Sequence, residues 1–405
     1  MKFRIFLFFL MIVCSIQGQQ KRLTTQFSPF LEKTYYSFSF GAVYYPYTDA
    51  NLKPGYVSES VKKNMFSGRF LLGYRLREDL GIQFGVMRPA SWFQFENINN
   101  IGYDRSVWLN LWSLSLQKDF KLSDKLSLNA ELGIGNLARV GFPIDYKIVY
   151  ENAQYATLVT GLGLSYKLNE KWRFLLSTLY LPASKRHNQP YTFQTTLGLQ
   201  YRVKQVPRKL AEDYAADKHY FFPKSFIQIG YSNSQFGFLA NEFFSMNLAV
   251  GDSKGLGIPI FWLGVSQAAQ TISITYQQTA YRSRKLFSLD WGVSITGFQT
   301  VATQTNVFAF SIFPVIRFYV YRPKNFDMYL NYSIIGPTYL TKKNIDNLPT
   351  GPKLTYQDFM GIGAFFGKHR KYNFELKIMH YSNGNISPQN DGVAIPVMLT
   401  FGKTL

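Results

Sequence analysis

The sequence predicts an all-β chain of transmembrane antiparallel β-barrels, two in succession, with about eight strands in the first and eight to ten in the second. Three observations lead there. First, apolar and polar residues alternate: Leu126, Leu128, Ala130 and Leu132 against Ser127, Asn129 and Glu131, and Trp112, Leu114 and Leu116 against Ser113, Ser115 and Gln117. A period of two is a strand period. Second, short charged turns alternate with longer polar loops. Leu76, Leu122 and Leu168 lie in three similar turns, each 46 residues after the one before, and loops around 46–64, 93–105 and 138–153 separate them. Outer-membrane barrels have this habit, with short turns on the periplasmic side and long loops outside. Third, 37 Phe, 28 Tyr and 6 Trp make up 18% of the chain while charged residues reach 17%, a balance suited to strands and membrane interfaces.

Composition removes other classes. A hydrophobic content of 46% excludes disorder, and a single cysteine excludes a disulfide scaffold. Residues 1–18 have the layout of a signal peptide: Lys2 and Arg4, an apolar run from Ile5 to Ile16, then Gln17 and the small Gly18. A cut after Gly18 leaves a net charge of +18 and removes the only cysteine, Cys14. A lipoprotein cut at Cys14 is the less favoured alternative, because Val13 is bulky where a small residue is wanted. No later segment offers the roughly 18 uninterrupted apolar residues of a spanning helix, whereas a closed barrel satisfies its backbone internally and needs none.

Taken in order, the first-half strands are expected at about 34–45, 66–76, 80–92, 107–120, 125–137, 154–168, 171–182 and 191–203. Eight is even, so both ends return to one side. Residues 204–223 break the pattern with Pro207, the basic Lys204, Arg208 and Lys209, and a helical patch at Leu210–Asp217. They read as a linker between a barrel over 19–203 and another over 224–405, with one large barrel and a long periplasmic connection as the alternative. Second-half strands are expected at about 225–235, 243–251, 258–268, 271–281, 286–297, 305–322, 326–336, 355–367, 371–382 and 393–403.

Soluble-enzyme motifs are absent: the sequence has no GxSxG, GxGxxG, Walker or HExxH pattern. No cofactor or metal site is expected. His187, His219 and His369 fall in a loop, the linker and a turn, and read as solvated residues. His380 sits within a strand whose period places Phe374, Leu376, Ile378, His380 and Ser382 on the lipid face, near its outer end. Polar side chains there either mark the end of the apolar band, where they are cheaper, or do chemistry.

The run His380-Tyr381-Ser382-Asn383-Gly384-Asn385-Ile386-Ser387-Pro388-Gln389-Asn390-Asp391-Gly392 resembles the signature of the PagL family of outer-membrane lipid A 3-O-deacylases. Its hallmark, His-x-Ser-Asn near the end of the penultimate strand followed by an Asn-x-Gly turn, is matched by His380, Ser382, Asn383, Asn390 and Gly392. Thr355-Tyr356-Gln357-Asp358-Phe359 and Gly361-Ile362-Gly363 look like its adjoining strand. The resemblance is most specific over 355–403, extends over 286–403 and does not reach 19–204. It implies Ser382 as nucleophile, His380 as general base and then acid, and oxyanion donors around Asn383, Gly384, Asn385 and Asn390, with Gly384 and Gly392 allowing unusual backbone angles. The sequence departs from the family at one telling position. The family's triad glutamate, two residues beyond the turn glycine, is here Ala394. Asp391 and Asp358 are the substitute acids on offer.

The implied partner is lipid A of lipopolysaccharide within outer-membrane lipid, in a Gram-negative bacterium, with the site facing the outer leaflet. The alternative is a non-catalytic barrel serving as pore, adhesin or assembly factor. Nucleic-acid binding, raised by a net charge of +20, is set aside by the export signal and the strands. The charge suits anionic lipopolysaccharide.

Overall fold

The computed structural model describes residues 23–63, 65–89, 93–245, 248–250, 253–256 and 264–405. The leader read at 1–18 lies outside them. Among the described residues no helix is long and apolar enough to cross a membrane.

Eight strands form the first wall: β1 Thr34–Tyr44, β2 Phe66–Arg77, β3 Leu80–Pro89, β4 Tyr103–Lys121, β5 Leu126–Val140, β6 Ala153–Lys167, β7 Trp172–Leu181 and β8 Thr192–Arg202. Each pairs antiparallel with the next, and β8 returns to β1, so the sheet closes. Leu76, Leu122 and Leu168 all fall at the short turns, where they are exposed. After β8 comes helix α1, Arg208–Ala216. The second closed wall is β9 Ser225–Asn233, β10 Ser266–Arg282, β11 Phe287–Thr300, β12 Asn306–Tyr321, β13 Phe326–Leu340, β14 Leu354–Phe366, β15 Tyr372–Ser382 and β16 Val393–Thr404. The single large barrel is therefore not adopted.

The second wall has eight strands among the described residues; no described residue of the expected 243–251 joins it, and of the expected 258–268 only 266–268 do, as the start of β10. Leu239–Ser245 is helix α2, in keeping with Glu242, Phe243 and Phe244, which do not alternate. Among the described residues Leu248–Val250 and Ser253–Leu256 pair with each other, and 257–263 lie outside the described residues. The strand expected to end at 268 and the next from 271 are one strand, β10. Its register slips between Ala268 and Gln270, a bulge that reads in sequence as a turn.

Both barrels are inside out relative to a soluble protein. In β11, Asp290, Ser294 and Thr296 are buried in the interior while Trp291, Val293 and Ile295 are exposed outside. The first barrel does the same, with Ser113 and Ser115 inside and Leu114 and Leu116 outside. An eight-strand interior is just wide enough for side chains, and charged networks fill it. In the first barrel Arg69 grips Glu131 through two bonds of 2.6 and 2.9 Å, and Ser115 donates to the same carboxylate at 2.7 Å. In the second, Arg317 pairs with Asp290, donates to Gln277 Oε1 at 2.8 Å and stacks over Tyr329, 4.7 Å from the ring centre. Glu375 accepts from Tyr329 at 3.0 Å and Asn331 at 2.7 Å. A filled interior does not suit a pore. Arg317→Met is expected to destabilise the second barrel by about 3–5 kcal/mol, because it leaves Asp290 charged, buried and unpaired. Urea unfolding in detergent micelles checks this.

The loops read as polar at 46–64, 93–105 and 138–153 instead cap the outer end of the first barrel with an apolar cluster including Tyr45, Tyr47, Phe93, Phe95, Phe142 and Tyr150. Tyr47 stacks on Phe93 at 4.1 Å, and Arg139 lies 4.0 Å from the Tyr150 ring centre. Their scattered aromatics meet only once the strands bring the loops together. Aromatics also mark both rims of the walls, as in the Tyr44–Tyr191 pair at the outer rim and the Trp172–Tyr201 pair at the periplasmic one, the position expected of interface girdles.

Candidate active site

The site is built where β14, β15 and β16 reach the outer end of the second barrel. Alternation along β15 turns Glu375, Lys377, Met379 and Tyr381 inward, and the other set outward. His380 and Ser382 belong to the outward set, yet only 2% and 8% of their surfaces are exposed. The return segment 383–392 covers them: Gly392 lies against the Nε2 edge of His380, with Gly264 behind it.

Register decides which acid serves the histidine. His380 stands between Asp358 on β14 and Ala394 on β16, its direct partners on either side. Ala394 has nothing to offer, and Asp358 does: its Oδ1 lies 3.0 Å from His380 Nδ1, with both side chains buried. A carboxylate at that distance accepts the Nδ1 proton, so Nε2 is the ring nitrogen that carries the lone pair. Asp391 is placed differently. Its backbone carbonyl accepts from Val265 N–H at 2.6 Å, its N–H reaches Pro349 O at 3.5 Å, and burial alone pushes its carboxyl up.

The loop after Ser382 is tied by its own amides. Asn390 Oδ1 accepts from Asn383 N–H at 2.7 Å, Asn383 Nδ2 donates to Gln389 O at 2.6 Å, and Asn390 Nδ2 donates to Asn385 Oδ1 at 2.6 Å. The Asn383 backbone N–H and one N–H of each side-chain amide are thus used in shaping the loop. Gly384 N–H is the donor aimed at Ser382 Oγ, 3.4 Å away. Gly384 and Asn385 are left-handed, with φ of 63° and 58°, conformations that glycine and asparagine tolerate best. Gly392 has φ of 65°, and a Cβ there would sit 2.8 Å from His380 Nε2. Gly392→Ala is therefore expected to displace the imidazole, measured as a shift of the His380 ring resonances in micelles. The chain has a second Tyr-Ser-Asn run, Tyr231-Ser232-Asn233, with Gly230 where the histidine would stand; there Ser232 Oγ turns inward and donates to Pro396 O at 3.1 Å.

Sequence reading missed three residues at this site, all from the first barrel. Trp112 on β4 stacks parallel to Tyr356 at 6.4 Å, and Tyr356 is the register partner of Ser382. Asn136 on β5 and Gln154 on β6 donate to Ile386 O at 2.7 and 2.8 Å. The available signal was a polar residue on an otherwise apolar face, since Asn136 follows Leu128, Leu132 and Ile134 in the outward row of β5.

Two closed barrels with apolar outer faces, polar interiors and aromatic rims define an outer-membrane β-barrel protein of the Gram-negative type. Residues 270–401 match the family described as lipid A 3-O-deacylase (PagL), so the second barrel, and only that half of the chain, is PagL-like. Among solved structures, the outer membrane enzyme PagL is similar at 13% identity, covering 44% of this chain and 99% of that one, with a TM-score of 0.31. The N-terminal β-barrel domain of Pseudomonas aeruginosa OprF is similar at 14% identity, with 42% and 96% covered and a TM-score of 0.28. The attachment invasion locus protein Ail of Yersinia pestis is similar at 16% identity, with 42% and 96% covered and a TM-score of 0.26. No curated protein matches the chain.

Proposed function

We propose that the second barrel is an outer-membrane serine esterase that removes an ester-linked acyl chain from lipid A, with its site facing the outer leaflet. The observation that carries this reading is the buried Asp358–His380 bond of 3.0 Å, two residues from Ser382, within the segment matching the deacylase family. An acid, an imidazole and a hydroxyl in this order form the arrangement that activates a serine.

In the proposed reaction Ser382 Oγ attacks the ester carbonyl while His380 Nε2 takes its proton. Asp358 holds the ring and stabilises the imidazolium. Negative charge collects on the carbonyl oxygen, and Gly384 N–H is the donor best placed to meet it. Collapse of the tetrahedral intermediate breaks the bond to the sugar oxygen, which takes the proton from His380 and leaves as an alcohol. Water, deprotonated by the same imidazole, then attacks the acyl-serine and releases the fatty acid. Asn383, Asn385 and Asn390 serve as shapers of the loop, and Asp391 lies outside the catalytic set.

A fluorophosphonate probe tests the nucleophile. Incubation of the full chain in micelles should phosphonylate Ser382, as found by peptide mass spectrometry. A chain left unlabelled at Ser382 under conditions that label other serine esterases would count against the reading.

A further inference from the structure

We infer that the first barrel is a working part of the second barrel's site: its outer wall holds the loop that carries the Gly384 donor. The inference rests on the esterase reading above and gives a role to the half of the chain that the family match does not cover.

The outward rows of β4, β5 and β6 are apolar and exposed over most of their length, as at Leu114, Leu116, Leu132, Ile134, Leu158 and Leu162. Near the outer ends this changes. Trp112 pairs in register with Asn136, and Ala138 on the same outward row pairs with Gln154. Asparagine and glutamine on a lipid-facing wall are costly unless their hydrogen bonds are met. Both are met by one acceptor, the carbonyl of Ile386, at 2.7 and 2.8 Å, across 250 and 232 residues of chain. Gln154 also donates to Asn136 Oδ1 at 3.3 Å, so the two amides brace each other. Trp112 closes the patch: a Cβ on Gly384 would lie 3.0 Å from its ring.

Ile386 lies two residues beyond Gly384, across a turn with two left-handed residues. The second barrel ties this loop through Asn383 and Asn390, leaving the Ile386 carbonyl to the first barrel. Fixing that carbonyl fixes the peptide planes before it, including the one whose N–H faces Ser382. The periplasmic ends are fastened as well. Arg282, at the end of β10, donates from its backbone to Thr24 O at 2.8 Å and from its guanidinium to Tyr214 O at 2.9 Å, and Phe27 stacks on Tyr281 at 4.0 Å. Thr25 donates to Ala211 O on α1 at 2.7 Å. The two barrels are thus clamped at both ends, and the loop sits in the outer clamp.

Asn136, Gln154 and Trp112 are positioning residues in this account. In the full chain, Asn136→Leu with Gln154→Leu should lower kcat for acyl release about tenfold or more, with KM changed less than about twofold. Phosphonylation of Ser382 should slow in proportion. Each single variant, keeping one donor on Ile386, should retain most of the activity, and Leu162→Ala, on the same wall but exposed, should be unaffected. Leucine suits a lipid face, so the double variant should fold, which heat-modifiable migration on a gel checks. Trp112→Phe gives a second, milder test with the same split between kcat and KM. A double variant with unchanged or raised kcat would overturn the inference, as would a loss in KM alone. Ser382→Ala in the same assay separates the two claims: an active Ser382→Ala removes the esterase reading, whereas an inactive one beside a fully active double variant removes only this inference.

Discussion

Replacing Ser382 with alanine is expected to lower acyl release from lipid A by about 10⁴-fold or more, with no change in the fold. The size follows from what the hydroxyl does. Without it no acyl-enzyme forms, and what remains is the small advantage of binding and of one preorganised N–H donor. The fold should survive because Ser382 is the last residue of β15 and its Oγ accepts a long bond, 3.4 Å from Gly384 N–H. Losing one such bond costs about 1 kcal/mol. Rates measured on lipid A in mixed micelles, beside heat-modifiable migration on a gel, separate lost chemistry from lost structure.

The second large effect is expected at the acid. Asp358→Asn should lower kcat by about 10²- to 10⁴-fold, because the amide can present an N–H to Nδ1 and favour the wrong tautomer. Asp391→Asn should stay within about threefold of the parent chain. The contrast is the informative result, since Asp391 is the nearer of the two aspartates in sequence and Asp358 the nearer in the fold. Equal losses at the two positions, or a larger loss at Asp391, would move the triad acid to the return loop and leave the Asp358–His380 bond as a structural contact.

Alternation and turn spacing reveal most of the architecture in the sequence itself. The eight strands of the first wall follow from them, because each strand faces lipid on one side and a polar interior on the other. The second wall was harder between 243 and 268. A bulge at Ala268–Gln270 imitates a turn, and the apolar run with Phe243 and Phe244 belongs to a short helix. His380 and Ser382 share a face by simple counting, and the structure keeps them there. Choosing between Asp358 and Asp391 was beyond sequence, because it needs the register of β14 against β15, and a shift of one residue would turn Asp358 inward. The contacts from Asn136 and Gln154 were further out of reach, since they depend on how two barrels lie beside each other.

The basic balance also looks different in three dimensions. Lys342, Lys343 and Lys353 lie in the outer loop of the second barrel, but Arg284, Lys285, Lys324, Lys368 and Lys371 crowd its periplasmic turns. Anionic lipopolysaccharide in the outer leaflet lies within reach of the first group and not of the second. The periplasmic cations meet Asp217 and Asp327, through Arg284, Arg322 and Arg370, and help to fasten that end.

The most direct test of the central claim is the mass spectrum of lipid A after incubation with the full chain, beside the same lipid A incubated with Ser382→Ala. The account predicts a species lighter by one ester-linked acyl chain, with the matching free fatty acid, for the parent chain and not for the variant. Identical lipid A spectra for the two would contradict it.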